Sequence, residues 1–361
     1  MIIAIDLTSL SYHMTGIERY AACMTEKMLQ LDKVNEYRLI FRDSVYPIFE
    51  KYIDDKKIQA YVIHGKKKVI FLQIILPWNL YKIYADRYIF FAFTSPIFFV
   101  RKGIINTIHD MGAWDSADAM TTLQKIYWRV TYKISAYRSE KIITVSNFSK
   151  NRISKLLKYP QNKIYVIYSA VYDRIAKTYN EKVKDIKIKY SLPNKYIMTL
   201  STLEPRKNIE LLLKAYTNIQ DKVNYDLVLV GRKGWKMDEI IENYNSKERI
   251  HITGFVEDEH ISTIYKNALC FIFPSLYEGF GLPPIEALTL GTPVIASNAA
   301  SMPEILMNQA VFFKNNDEKA LENVLLHLEN NVDSMPHELN QFQKKNYSFE
   351  VSAERLLKLI R

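Results

Sequence analysis

Short apolar runs alternate with amphipathic stretches almost from end to end of the chain, the pattern of parallel strands covered by helices. In the first half, the runs at 2–5, 37–41, 58–63, 88–93, 104–108, 141–145 and 163–167 are predicted strands. Residues 121–138 carry the clearest helical period. A second helix is predicted at 146–157, opened by Ser146, whose hydroxyl suits the free amides of a first turn. The polar, lysine-rich segment 172–189 reads as a linker. A second alternation begins with a strand at 196–200 and a helix at 209–219, apolar at Ile209, Leu212, Leu213, Tyr216 and Ile219. Strands follow at 225–230, 249–252, 269–273 and 293–296. The expected fold class is therefore α/β, with two doubly wound, Rossmann-like domains, 1–175 and 190–345, facing across a cleft. A last helix at 346–361 is expected to return to the first domain. No internal repeat or low-complexity stretch interrupts the pattern.

Composition agrees with a globular chain: 361 residues suit two domains of ordinary size, and 48% hydrophobic with 24% charged residues argues against disorder. Cys23 and Cys270 stand far apart, so neither a disulfide framework nor a cysteine-based zinc site is expected, and a reducing cytoplasm fits best. The start, Met1-Ile2-Ile3-Ala4-Ile5-Asp6, reads as a first strand rather than a signal peptide, because no basic region precedes its apolar run.

Charge changes the picture more. The net +10 is uneven, since residues 1–180 hold 27 Lys and Arg against 15 Asp and Glu. Lys66-Lys67-Lys68 precedes two apolar runs, 69–81 and 88–100, each shorter than the ~20 residues that span a bilayer. Such a basic, aromatic-rich surface suits peripheral contact with an anionic membrane face or a lipid pyrophosphate. A plainer reading buries both runs and leaves the lysines to solubilise the protein. Nucleic acid is not expected as a partner, because no helix-turn-helix, zinc or RNP-like motif accompanies the charge.

The candidate chemistry sits at strand ends, where ligands of doubly wound sheets bind. After the run 269–273 comes Glu278-Gly279-Phe280-Gly281-Leu282-Pro283-Pro284-Ile285-Glu286, two carboxylates around a glycine-rich turn that opens a helix. Glycines let backbone amides approach a phosphate, and a helix N-terminus adds about half a positive charge. Glu278 suits sugar hydroxyls and Glu286 a ribose diol. After the run 196–200, Arg206 and Lys207 make an anion site: Arg206 offers a planar fork and Lys207 a compact charge, with Asn208 placed to cap the next helix. His109-Asp110 ends a first-domain strand, where the ring can contact a substrate and Asp110 can orient it. Gly16 opens a helix after the first strand and lets backbone approach the same ligand. Each piece alone also suits a plainer role: a solvated loop, an ordinary first-turn acid, a structural histidine.

Together these residues resemble glycosyltransferase family 4, the retaining GT-B enzymes that use nucleotide-sugar donors. The matching pieces are Gly16-Ile17-Glu18-Arg19-Tyr20, His109-Asp110, Val145-Ser146-Asn147-Phe148-Ser149, Glu204-Pro205-Arg206-Lys207-Asn208, Val230-Gly231, Gly254-Phe255, and Pro274 through Glu286. The resemblance implies that Glu278 meets the donor sugar, Glu286 the ribose, and Arg206 with Lys207 the diphosphate. It places His109 by the transferred sugar and the backbone of Gly254, Phe255 and Val256 near the base. Gly16, Gly231, Gly279, Phe280, Gly281 and Leu282 complete the expected donor site. Ser201 departs from the arginine common at that position, which leaves the phosphate cations to Arg206 and Lys207. The run Leu203-Glu204-Pro205-Arg206-Lys207-Asn208 is similar to bacterial mannosyltransferases of surface-polysaccharide assembly.

The expected activity is therefore transfer of a hexose, mannose from GDP-mannose, to a glycan or polyprenyl-linked glycan acceptor at the inner face of the cell membrane. No metal or other cofactor is expected, and the chain has no D-x-D sequence. Three alternatives stay open: a UDP- or dTDP-sugar donor, an epimerase on the same scaffold, and a catalytically silent nucleotide-sugar-binding subunit.

Overall fold

The structure, a computed structural model, describes every residue except 13, 117–119, 172–182, 235–241 and 245–247, together with the side chain of Lys68. The chain divides into two compact units, Met1–Ala170 joined by Lys345–Arg361, and Val171–Lys344. The predicted boundary at 175 and most of the predicted linker lie outside the described residues. The rest of that linker is helical, Val183–Lys189.

In the first unit the strands are β1 (Ile2–Asp6), β2 (Glu36–Arg42), β3 (Ile58–Ile63), β4 (Arg87–Phe90), β5 (Ile104–Thr107), β6 (Lys141–Thr144) and β7 (Ile164–Val166). They form a parallel sheet in the order β3-β2-β1-β4-β5-β6-β7. Helices cover the sheet, so β1 and β5 are buried almost throughout and read as continuous apolar runs rather than alternating ones. All seven predicted runs form strands. The predicted run 88–93 pairs only as far as Phe90, because side chains take over the backbone beyond it. His109 Nε2 bonds the carbonyl of Phe91 at 2.8 Å, and Asn106 Oδ1 accepts from the amide of Ser95 at 2.6 Å.

The helix Phe349–Ile360 belongs to this unit. Phe349 packs near Tyr20, Ser352 Oγ donates to the carbonyl of Tyr168 at 2.8 Å, and Arg87 Nε and Lys141 Nζ donate to the final carbonyls of Ile360 and Leu359. Two cations at the carboxyl end complement the helix dipole and satisfy carbonyls that have no partner within the helix.

In the second unit the strands are β8 (Tyr196–Leu200), β9 (Asp226–Val230), β10 (Ile250–Gly254), β11 (Cys270–Phe273), β12 (Val294–Ser297) and β13 (Val311–Phe313), ordered β10-β9-β8-β11-β12-β13 and parallel. β13 carries no sequence prediction. It is three residues long, pairs among the described residues with β12 alone and is only partly buried, so it lacks the buried apolar run that marks the others. Strand order reverses at β8, which has β9 on one side and β11 on the other. The loops after β8 and β11 therefore emerge side by side at the carboxyl edge, where doubly wound sheets hold ligands.

Candidate active site

The loop after β8 is tied down by its backbone. Ser201 N donates to the carbonyl of Val230 at 3.0 Å and Leu203 N to that of Arg232 at 2.9 Å. A single 3-10 turn, Pro205–Lys207, then leads into the helix Ile209–Thr217. Asn208, expected to cap that helix with its side chain, makes no such bond. It sits left-handed at φ +53, a conformation that asparagine tolerates better than most residues, and redirects the chain from the turn into the helix.

The loop after β11 leans on this turn. The carbonyl of Arg206 accepts from Leu276 N at 3.0 Å and Ser275 Oγ at 3.2 Å, and Arg206 returns a bond from its guanidinium to the carbonyl of Tyr277 at 3.1 Å. These contacts bring Glu278 against both cations. Its Oε1 accepts from Lys207 Nζ at 2.5 Å and Ser275 Oγ at 2.7 Å, and its Oε2 from the Arg206 guanidinium at 3.3 Å. Arg206 also holds Glu204 at 3.1 Å, and Ser301 Oγ donates to the backbone carbonyl of Glu278 at 3.0 Å.

Glu278 is 8% exposed. Burial pushes its pKa up, but the Lys207 and Arg206 charges and the bonds from Lys207 and Ser275 outweigh it and hold the carboxyl below the usual glutamate range. It is therefore ionised at neutral pH and accepts hydrogen bonds only. Two cations and two carboxylates balance within the cluster, so an anion there is met by directed N–H donors rather than by net charge, those of Arg206 and Lys207 being joined by backbone donors.

Those donors come from the turn ahead of the helix Leu282–Thr289. Gly281 caps it at φ +84, and a Cβ there would lie 2.4 Å from Met302 Cε. Pro283 and Pro284 carry no N–H, so any donors presented at this end belong to Leu282 and the residues before it. Phe280 is buried. Glu286, 1% exposed, lies within the helix, and its Oε2 accepts from the Tyr265 hydroxyl at 3.4 Å.

Gly231 and Gly254 end β9 and β10 side by side, Gly231 N donating to the carbonyl of Gly254 at 2.9 Å. Gly231, at φ +135, passes so close to Ser201 that a Cβ would sit 1.8 Å from its carbonyl oxygen. Beyond Gly254, Val256 is buried, and Phe255 is exposed beneath the Arg232 guanidinium, 4.2 Å from its ring centroid.

Gly16 and His109 belong to the other unit. Gly16 is the exposed first residue of the helix Gly16–Leu31, where the Glu18 carboxylate caps the amide of Thr15 at 2.7 Å. His109 follows β5, and Tyr20 packs edge-on against its ring at 4.9 Å between centroids. Burial lowers the His109 pKa, opposed by the Phe91 carbonyl and the Asp110 charge, so the ring is neutral at pH 7. A carbonyl can only accept, which places the proton on Nε2 and leaves Nδ1 as the acceptor. Asp110, expected to orient the ring, acts on it through its charge and uses Oδ1 to accept from the amide of Gly112 at 2.8 Å.

The sequence assigns Arg206, Lys207 and Glu278 to one donor site but does not show that Glu278 pairs with both cations, nor that Ser275, Ser301 and Glu204 join the same cluster. Ser275 lies three residues before Glu278, a loop spacing that carries no signal of its own.

Residues 182–346 match the family described as glycosyl transferases group 1. The chain carries that domain and is a glycosyltransferase. It is 28% identical over 333 residues to the Escherichia coli O-antigen chain mannosyltransferase B, 86% of each chain being covered. It is 32% identical over 197 residues to the serotype-specific mannosyltransferase WbdA of E. coli, covering 52% of this chain and 24% of WbdA. The Anabaena Alr3699/HepE structure, crystallised with UDP and glucose, superposes with a TM-score of 0.74 at 14% identity, over 100% of this chain and 99% of that one, and shares its GT-B fold. Within this glycosyltransferase, Glu204, Arg206, Lys207, Gly231, Gly254, Ser275, Glu278 and Glu286 all fall inside the matched domain, while Gly16 and His109 fall outside it.

Proposed function

We propose that the chain transfers a hexose, mannose from GDP-mannose, to a glycan or polyprenyl-linked glycan acceptor at the inner face of the membrane, with retained configuration and no metal cofactor. One observation carries this reading: Glu278, Arg206, Lys207 and Ser275 join the loops after β8 and β11 at the reversal point of the sheet. The mannose assignment is supported by the mannosyltransferases that this chain resembles.

The bond from the anomeric carbon to the diphosphate breaks, leaving positive character on the sugar and negative charge on the departing phosphate. Arg206, Lys207 and the amides from Gly279 to Leu282 address that charge, a role in which one donor contributes about 100- to 1000-fold in rate. Glu278 is already committed to two cations and a hydroxyl. It holds sugar hydroxyls and keeps the cations oriented rather than attacking carbon. The acceptor hydroxyl attacks from the face that the diphosphate leaves and gives its proton to the departing phosphate. Glu286 takes the ribose, and the backbone at Gly231, Gly254, Phe255 and Val256 surrounds the base.

Thermal unfolding with GDP-, UDP- and dTDP-sugars tests the donor, since a ligand at 100 times its Kd stabilises by about 2.7 kcal/mol. GDP-mannose is expected to raise Tm and to be turned over. Stabilisation by UDP- or dTDP-sugars alone would overturn the donor, and binding with neither hydrolysis nor transfer would point to a silent binding subunit.

A further inference from the structure

The first unit exposes large hydrophobic side chains in one region far more than elsewhere. Of 23 such residues among those described, 12 lie between Val69 and Tyr137. Residues 68–80 are helical, through the turns Lys68–Ile70, Phe71–Ile75 and Leu76–Leu80. Phe71, Leu76 and Leu80 are buried in the core, yet Ile70, Ile74, Trp78 and Tyr81, three to four residues apart, all face outward, Trp78 at 68% exposure. A segment apolar on both sides has one side matched by the core and the other left for a second apolar phase.

Two further pieces adjoin it. Tyr81 accepts from the amide of Val100 at 2.8 Å, which fixes the loop bearing exposed Phe98 and Val100. Gln73 Nε2 donates to the Tyr127 hydroxyl at 3.0 Å, which sets the helix Thr122–Arg138 alongside. That helix exposes Leu123, Ile126, Val130 and Tyr137, again at helical spacing, Leu123 at 80%. Cations lie among them: Lys82 sits 5.4 Å from the Trp78 ring and Arg101 5.2 Å from the Tyr81 ring, with exposed Lys66, Lys67 and Lys102 nearby in sequence. From Lys66 to Arg138 the chain has 11 Lys and Arg against 4 Asp and no Glu.

We infer that this surface docks the enzyme on an anionic lipid bilayer, its apolar residues entering the headgroup boundary and its cations meeting lipid phosphates. Aromatic and aliphatic side chains among Lys and Arg are the composition of an interfacial anchor. Protein interfaces are depleted of lysine, and two copies of this face would repel each other. Among the described residues no helix is long and apolar enough to cross a membrane, so the contact is peripheral. The proposal extends the membrane-borne acceptor reading, but its test uses neither donor nor acceptor.

Vesicle flotation decides it, with phosphatidylcholine alone and with added phosphatidylglycerol. The wild-type chain is expected to float with anionic vesicles and to be released by salt. Ile74→Asp with Trp78→Asp should lower the partition coefficient at least tenfold, and Lys66→Gln and Lys67→Gln about fivefold each. Leu123→Asp with Ile126→Asp repeats the test on the other helix should the first pair fail to fold. No wild-type binding, undiminished binding by both pairs, or a wild-type dimer in light scattering that either pair dissociates would overturn it. Nucleotide-sugar stabilisation, measured on the same variants, reports separately on the donor site.

Discussion

Glu278 sets a pH dependence whose sign follows from its surroundings. Its pKa is lower folded than unfolded, burial being outweighed by Lys207 and Arg206. The carboxylate thus contributes stability that is present above the ordinary glutamate range and is lost as pH falls through the folded value, below about pH 4.3. Unfolding midpoints measured down through that range should fall steeply for the wild type and less steeply for Glu278→Gln. The same variant should lose about 3–5 kcal/mol at neutral pH in denaturant titrations, because it leaves Lys207 and Arg206 without their shared counter-charge. A neutral-pH stability equal to wild type would mean that the cluster is not coupled as its geometry implies. Sequence placed Arg206, Lys207 and Glu278 at strand ends because each follows a clear apolar run. It could not show that one carboxylate clamps both cations, since about 70 residues separate them and only the sheet order makes them neighbours.

At the scale of elements, the two tight glycines differ in what they would strike. A Cβ at Gly231 meets the backbone oxygen of Ser201, which cannot move without breaking the β8 exit; one at Gly281 meets the end of the flexible Met302 side chain. Gly231→Ala is therefore expected to lower Tm more than Gly281→Ala, and Met302→Ala should relieve part of the Gly281→Ala loss, leaving about 1 kcal/mol of left-handed strain. Equal effects, or no relief, would contradict the contacts. The buried strands were legible because helices on both faces make them continuous apolar runs. β13 was not, being short and half covered. A side-chain cap and a left-handed turn residue look alike in sequence at Asn208, and the 3-10 turn ahead of it decides between them.

For the whole molecule, the helix Phe349–Ile360 ties the end of the chain to its beginning. Ending the chain after Lys344 would uncover Tyr20 and the core beneath Leu356 and Ile360, so unfolding of the first unit should shift to lower temperature while nucleotide-sugar binding by the second persists. Loss of both would show that the units do not fold separately. The uneven charge was visible in composition, but the outward-facing apolar stripe was not, because a run of 13 apolar and polar residues does not reveal which of its sides meets the core. The paired loops after β8 and β11 are proposed to hold the donor diphosphate and sugar. Calorimetric titration of the nucleotide sugar that stabilises the wild-type chain, into wild type and Arg206→Ala, tests it most directly. Affinity is expected to weaken about 10- to 100-fold in a folded variant, through the loss of charge-assisted bonds to phosphate; unchanged affinity would mean that Arg206 does not hold the donor.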